Sequence, residues 1–316
     1  MSKTLTDWDS RLGRRLKLRD LHILSVVVER GSMAKAAKQL RMAQPSISEA
    51  VANLEAALNV RLLDRSQRGV LPTVYARTLL RRSDIVFDEL RQGLKEIEFL
   101  ADPTRGEVRL GCPETLAGLV STVIDQMSRR YPQIAVHVVP TEPLMLQLGG
   151  LRERSADLLV GRLAKALMDD DIATEPLFDD GLFVVAGAAH PLSRRRKIEL
   201  SELTGERWIL SPQNNLLMPL VAEAFRAKGL STPVASVTTI SVHVRSQLLA
   251  TGRFLAIMPG SGLQQNAQRW QLRALPVDLG VRMPPVGILT LKNRTISPAA
   301  ALFIEQARAH ARTMRG

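Results

Sequence analysis

The sequence predicts an α/β protein with an all-α head at its N-terminus. Three observations lead there. Apolar residues recur at helical spacing in three short segments within residues 18–58. A run over residues 73–100 contains no proline and carries two apolar stripes. Beyond residue 106, short β-type runs alternate with helical ones, the pattern of a sheet with helices on its faces.

The head is read first. Leu21, Leu24, Val27 and Val28 form one amphipathic helix, and Gly31 stops it. Ser32 is placed to cap a second helix carrying Ala36, Ala37 and Leu40, with Lys35, Lys38 and Arg41 on other faces. The small Ala36-Ala37 pair lets a neighbouring helix approach closely. After a break at Met42-Ala43, Gln44-Pro45 opens a third helix, where proline loses nothing by lacking an N–H. Ile47, Val51, Leu54 and Leu58 are its inward stripe; Gln44, Ser46, Ser48 and Asn53 are polar groups free to face out. Two helices joined by a few residues, the second opening Gln-Pro-Ser, read as a helix-turn-helix whose second helix enters a DNA major groove. The following RLLDRSQRGVLPT reads as a two-stranded wing over phosphates.

The run GSMAKAAKQLRMAQPSISEAVANLEAALNVRLLDR resembles the N-terminal domain of LysR-type transcriptional regulators. Gly31-Ser32, Ala36-Ala37, Leu40, Gln44-Pro45, Ser48, Leu54-Glu55, Leu58, Leu62 and Arg65 carry the resemblance. It implies a winged helix-turn-helix, a long linker helix that pairs two subunits, and two α/β lobes resembling a type 2 periplasmic-binding-protein core. It also implies homodimers or homotetramers, an interrupted inverted repeat in double-stranded DNA, a small-molecule effector, and contact with RNA polymerase. Candidate base-reading residues are Gln44, Ser46 and Ser48, with Ser32, Pro45 and Asn53 beside them; Lys35, Arg65 and Arg68 are candidate phosphate contacts. Glu49 departs from the family, which often has a polar or basic residue there, and a carboxylate facing DNA must accept from a cytosine amino group or stand off. The wing ends Leu71-Pro72-Thr73-Val74-Tyr75-Ala76, a variant similar to the subgroup named for regulation of a galactose-binding protein. That points toward a sugar or a small organic acid as effector.

Charge agrees with a polyanionic partner. Lys+Arg number 43 against 31 Asp+Glu, a net +12. Between Arg11 and Arg41 stand Arg11, Arg14, Arg15, Lys17, Arg19, Arg30, Lys35, Lys38 and Arg41, opposed only by Asp20 and Glu29. Cys112 is the only cysteine, so an internal disulfide is excluded. No apolar run reaches membrane-spanning length and no secretory segment opens the chain, so a soluble cytoplasmic protein is expected, with no membrane partner.

The chain divides, in this reading, into a basic extension (1–17), the head (18–73), a linker helix (74–101), a hinge (102–106) and an effector-binding domain (107–316). On the linker, Leu79, Val86, Leu90 and Ile97 form one stripe and Leu80, Phe87 and Leu94 an adjacent one, a surface that calls for a partner. The hinge is DPTRG. Strands are expected at 107–111, 135–139, 157–161, 181–186, 208–210, 235–239, 254–258 and 286–291, and helices at 113–131, 144–154, 216–228, 242–251 and 298–313. The alternation argues for parallel pairing. No element is assigned between Pro259-Gly260 and Pro285. The first lobe takes 107–178 and 284–316, and the second 179–283.

Ligands of open α/β sheets sit beyond the carboxyl ends of strands, against helix N-termini. That rule selects Cys112, Pro113, Glu114 and Thr115 after the first strand, and Gly161-Arg162 after the third. In the second lobe it selects Ser211-Pro212, Thr239, Ser241 and His243. Arg162 is either a bidentate anion clamp or a surface arginine. Glu114 in a first helical turn opposes an anion; facing the cleft it favours a neutral polyhydroxyl or cationic ligand, facing away it leaves an anion open. Ser241 is also an N-cap, His243 more often structural, and Cys112 more often a small buried hydrophobe.

An enzyme is the rival class. The chain has no Walker loop, no paired metal-ligand spacing and no nucleophile elbow, and His22, His137, His190, His243 and His310 are scattered. The reading is therefore not an enzyme, with no cofactor and no metal. A Cys112–His pair keeps one alternative open: a cytoplasmic small-molecule-binding or enzymatic α/β protein with a nucleic-acid-binding appendage.

Overall fold

Local signals build the head. The computed structural model describes residues 15–66, 69–141, 144–165 and 169–313. Helix α1 (Leu18–Arg30) ends where Gly31 turns left-handed at φ 63°, a region glycine enters without steric cost. Ser32 caps α2 (Met33–Leu40), its hydroxyl accepting from the Lys35 N–H at 3.4 Å. Helix α3 (Gln44–Leu58) starts with Pro45 in its first turn and ends at a left-handed Asn59. Ile23, Leu24, Val27, Ala36, Ile47, Val51, Leu54 and Leu62 form the buried core of the three helices.

The wing is an antiparallel pair, β1 (Leu63–Ser66) and β2 (Gly69–Pro72). Two ties seat it. The Glu55 carboxylate on α3 accepts from the Leu62 and Leu63 N–H groups at 2.7 and 3.2 Å. The Val70 N–H donates to the Gly31 carbonyl at 2.9 Å. A Cβ at Gly69, which has φ +125°, would lie 2.7 Å from that same carbonyl oxygen, so both ends of this contact require glycine. The wing tip with Arg68, and the basic extension with Arg11 and Arg14, lie outside the described residues.

Helix α4 (Val74–Ala101) begins under Thr73, whose hydroxyl accepts from the Ala76 N–H at 3.3 Å. Each of its two stripes is partly packed and partly exposed. Leu79, Leu80 and Phe87 pack on the core of the head, Phe87 meeting the His22 ring edge-on at 6.1 Å. Val86, Leu90, Leu94 and Ile97 stay exposed, from 45% to 63%. The surface expected to call for a partner thus shrinks to these four residues, three from the first stripe and one from the second. The chain divides into two compact units at Arg91/Gln92.

The second unit holds two five-stranded sheets. The first contains β3 (Arg105–Cys112), β4 (Gln133–Pro140), β5 (Leu158–Arg162), β6 (Ile172–Phe178) and β12 (Val286–Leu291), in the order β4-β3-β5-β12-β6. The second contains β7 (Leu182–Gly187), β8 (Trp208–Leu210), β9 (Ala235–Thr238), β10 (Leu255–Pro259) and β11 (Leu272–Ala274), in the order β11-β7-β10-β8-β9. Helices α5 (Ala117–Arg130), α6 (Leu144–Arg152) and α10 (Pro298–Thr313) accompany the first sheet, and α7 (Leu217–Ala227), α8 (Val242–Ala250) and α9 (Gly260–Trp270) the second. The central strands are covered on both faces. Leu158 and Val160 point into one core with α5 and α10, while Leu159 points into the opposite core. In the second lobe Leu255 and Ile257 pack with Trp208 and Phe225, while Ala256 and Met258 pack with Leu249 and Phe254. That two-sided burial is why these strands read as continuous apolar runs.

Three expectations are corrected here. The sheets are mixed: β12 runs antiparallel to β5 and β6, and β7 antiparallel to β10 and β11. Strand β6 goes unread because Glu175 and Pro176 interrupt its pattern, which proline tolerates at a sheet edge. Helix α9 and strand β11 occupy the stretch left empty before Pro285; α9 opens Gly-Ser-Gly and is mostly polar, so it carries little helical signal.

Candidate functional site

The polar groups expected to face out of the third helix divide by exposure. Gln44, Pro45, Glu49, Ala52 and Asn53 are exposed, while Ser46 and Ser48 are half-buried. Lys35 on α2 and Arg65 on β1 are exposed. Ser32 is half-buried and committed to capping α2, so its hydroxyl has a structural role before any contact with DNA. Glu49 stands exposed on the outward face.

The effector-site candidates separate into two groups. One group converges. The loop after β3 sends Glu114 across to the second lobe, where its two oxygens accept from the first amides of α8: Val242 N–H at 2.9 Å and His243 N–H at 3.3 Å. Ser241 caps the same helix through the Val244 N–H at 3.3 Å, and its own N–H donates to the Thr239 hydroxyl at 3.1 Å. Ser211 lies behind them. The buried Arg245 guanidinium donates to the Ser211 hydroxyl at 3.2 Å and to the Thr239 carbonyl at 2.8 Å. His243 is exposed, edge-on to Trp270 at 5.4 Å, and its Nε2 lies 2.8 Å from the Gln247 amide nitrogen. Glu114, Ser211, Thr239, Ser241 and His243 thus form one constellation at the meeting of the lobes.

The other group does not join it. Arg162 is neither clamp nor surface residue. It is 7% exposed and pairs with Asp180, 6% exposed, at 2.6 Å. Burial pulls its guanidinium below the ordinary value, against the opposing hold of Asp180. Asp180 also accepts from the Ser261 N–H at 3.1 Å and hydroxyl at 2.7 Å, capping α9. Arg162 is therefore a structural pin where the chain crosses between sheets. Gly161 is buried in register with Gly287 of β12. Cys112 is buried beside Pro113, its thiol donating to the Pro113 carbonyl at 3.1 Å, and burial pushes it up to about 12. A thiol held protonated is a poor nucleophile and a poor redox sensor, so Cys112 packs. Pro113 is buried too, and Pro212 accepts from the Asn215 N–H in a turn. Thr115 turns toward α9, its carbonyl 3.7 Å from where a Cβ on Gly262 would be.

Arg245, Asp180 and Ser261 escaped sequence reading. Arg245 left a signal: it interrupts the stripe of Val242, Ser246 and Leu249, all buried, where a charge implies a buried hydrogen-bonding role. Asp180 stands in an Asp-Asp-Gly run, which carries no sign of a buried pair.

A groove of about 600 Å³ also runs along the second unit, lined by Gly118, Thr122, Ser261, Gln264, Gln265 and His310 among others. Among the described residues no group of His, Cys, Asp and Glu is arranged to hold a metal ion. No described helix is long and apolar enough to cross a membrane.

Comparison with known proteins adds the following. The family described as bacterial regulatory helix-turn-helix protein, lysR family, matches residues 18–77. That described as LysR substrate binding domain matches residues 101–312. YybE of Bacillus subtilis, an uncharacterized HTH-type transcriptional regulator, is 30% identical over 280 residues, covering 88% of this chain and 93% of that protein. The regulator GbpR of Azospirillum brasilense is 28% identical over 301 residues, covering 94% and 87%. Full-length OxyR from Pseudomonas aeruginosa, a single-residue variant, superposes with a TM-score of 0.65 at 20% identity, covering 93% of this chain and 95% of that one.

Proposed function

Because the chain belongs to the LysR family of DNA-binding transcriptional regulators with an effector-binding domain, we propose that α3 reads one half of an interrupted inverted repeat and that a small molecule held between the two lobes modulates the reading. The observation that carries the first part is the exposed face of α3, opened by Gln44-Pro45, with Lys35 on α2 and Arg65 on β1 exposed as well. Gln44, Ser46 and Ser48 address base edges, and Lys35, Arg65 and Arg68 address phosphates. The exposed stripe of Val86, Leu90, Leu94 and Ile97 pairs two subunits, so that two heads meet two half-sites. The head is kept at 18–73 and the linker at 74–101; because β3 already begins at Arg105, paired with Gln133, the expected hinge 102–106 shortens to 102–104 and the effector domain takes 105–316. The regulator works in the cytoplasm on promoter DNA, with RNA polymerase as its further partner, and regulates without catalysing.

The effector reading rests on the convergence of Glu114 with Ser211, Thr239, Ser241 and His243 between the lobes. Glu114 faces the second lobe, and a carboxylate there disfavours a second anion. A neutral, hydroxyl-rich molecule such as a sugar suits the hydroxyls and amides that surround it.

Two substitutions test the DNA assignment. Ser46→Ala is expected to cost about 1 kcal/mol of binding to the specific site, confined to one base position. An equal loss on random duplex would refute a base-reading Ser46. Arg65→Ala should weaken binding to all sequences alike and reduce the salt slope by about one. The primary experiment is selection of the purified protein against a random duplex pool at moderate salt. Recovery of an interrupted inverted repeat supports dimeric sequence reading. A pool without consensus, bound only at low salt, overturns it.

A further inference from the structure

Two of the polar ties between the lobes, among the described residues, differ in kind. At the chain crossing, Arg162, Asp180 and Ser261 are joined in a buried network. Opening it would strand a guanidinium and a carboxylate away from water, a large cost. At the other tie, Glu114 is exposed, and its oxygens reach the Val242 and His243 amides of α8. Opening this one returns a carboxylate to water and two amides to a helix end that water can reach. The first tie is built to hold; the second is built to release.

The second tie is also specific. The leading amides of an α-helix have no partner within the helix and carry the positive end of its dipole. In α8 the Val244 amide is satisfied by Ser241 of the same lobe, whereas Val242 and His243 are satisfied by a carboxylate from the opposite lobe, 128 and 129 residues away in sequence. Hydrogen bonds to a charged acceptor are the strong ones. The end of α8 therefore depends on the first lobe for its last two bonds.

We infer that Glu114 is a releasable latch that holds the two lobes together. The inference deepens the effector reading above and rests on it for its regulatory meaning: a molecule entering between the lobes changes their arrangement by competing with the Glu114–α8 bonds. A ligand shifts such an equilibrium only through a difference in affinity for the two arrangements. The latch supplies that difference, because closed and released states present different amides and hydroxyls to the ligand.

The experiment uses the full chain. Cysteines placed at the exposed Gln126 on α5 and Glu223 on α7 accept nitroxide labels, while Cys112 is too buried to compete. Labelled protein is diluted with unlabelled protein, so that the distance read is within one subunit. With Glu114 in place a narrow distribution is expected. Glu114→Ala should broaden it and shift its mean. Glu114→Gln keeps the length but only one acceptor oxygen, and should fall between the two. Circular dichroism and retained DNA binding establish that each variant is folded. Distributions that coincide for the wild-type protein, E114Q and E114A overturn the latch. A shift in E114A together with failure of every tested sugar to alter the wild-type distribution would keep the latch and discard the sugar reading alone.

Discussion

Asp180→Ala is expected to destabilise the effector domain by about 3–5 kcal/mol, the usual consequence of removing one member of a buried ion pair. The loss has two sources. Arg162 would keep its burial and its charge while losing the carboxylate 2.6 Å away, retaining only a 3.4 Å hydrogen bond to the Pro284 carbonyl. Helix α9 would lose its cap, because Asp180 is also the acceptor for the Ser261 N–H and hydroxyl, and caps are worth about 0.5–2 kcal/mol. Asp180→Asn should cost less, since an amide oxygen can still receive the Ser261 N–H. Adding Arg162→Met to either variant should restore part of the loss, because the orphaned charge goes with it. The readout is the denaturant midpoint followed by tryptophan fluorescence, which the buried Trp208 reports from inside the second lobe. A loss under about 1 kcal/mol for Asp180→Ala would mean that water already reaches the pair.

The same residue shows where sequence reading stopped. The head was legible because its determinants are local. Gly31, Ser32, Pro45 and the small Ala36-Ala37 pair each act within a turn or two of their own position, and each does in the structure what its chemistry suggested. The effector domain was legible strand by strand but not in its pairing. Strand β12 returns from far along the chain to lie between β5 and β6, antiparallel to both, and nothing in VGILTL specifies its direction. Strand β6 and helix α9 were lost to weak local patterns, a Glu-Pro interruption and a Gly-Ser-Gly start.

The candidate site divided along the same line. The rule that ligands sit beyond strand ends located Glu114, Thr239 and Ser241 at the meeting of the lobes. It also selected Arg162, whose partner Asp180 lies in a separate turn of the chain and gave no signal of pairing. Glu114 was weighed as facing the cleft or facing away. Its destination, the first turn of a helix in the other lobe, requires knowing how the lobes are apposed, which local sequence does not encode.

Arg294→Met is expected to cost a comparable amount, about 3–5 kcal/mol, by leaving Asp157 charged and buried. Asp157 is a node of the first lobe. One oxygen accepts from the Arg109 N–H at 2.9 Å, joining β3 to the start of β5, and the other lies 3.1 Å from the Arg294 guanidinium. Both side chains of that pair are at most 5% exposed. Arg294 comes from the turn after β12 and also donates to the Ala156 carbonyl, so this pair ties the three central strands β3, β5 and β12 at one end of the sheet. Lys95, in the last part of α4, approaches the same carboxylate at 4.0 Å, with its side chain 24% exposed. A long, partly solvated contact of that kind is worth at most about 1 kcal/mol. Lys95→Ala should therefore leave the denaturant midpoint almost unchanged while Arg294→Met lowers it steeply. Equal losses would show that Lys95 neutralises the node as much as Arg294 does. The unequal outcome would mean that the lobe keeps its fold when α4 lets go of Asp157, so that the linker's hold on this edge can change without unfolding the domain it leaves.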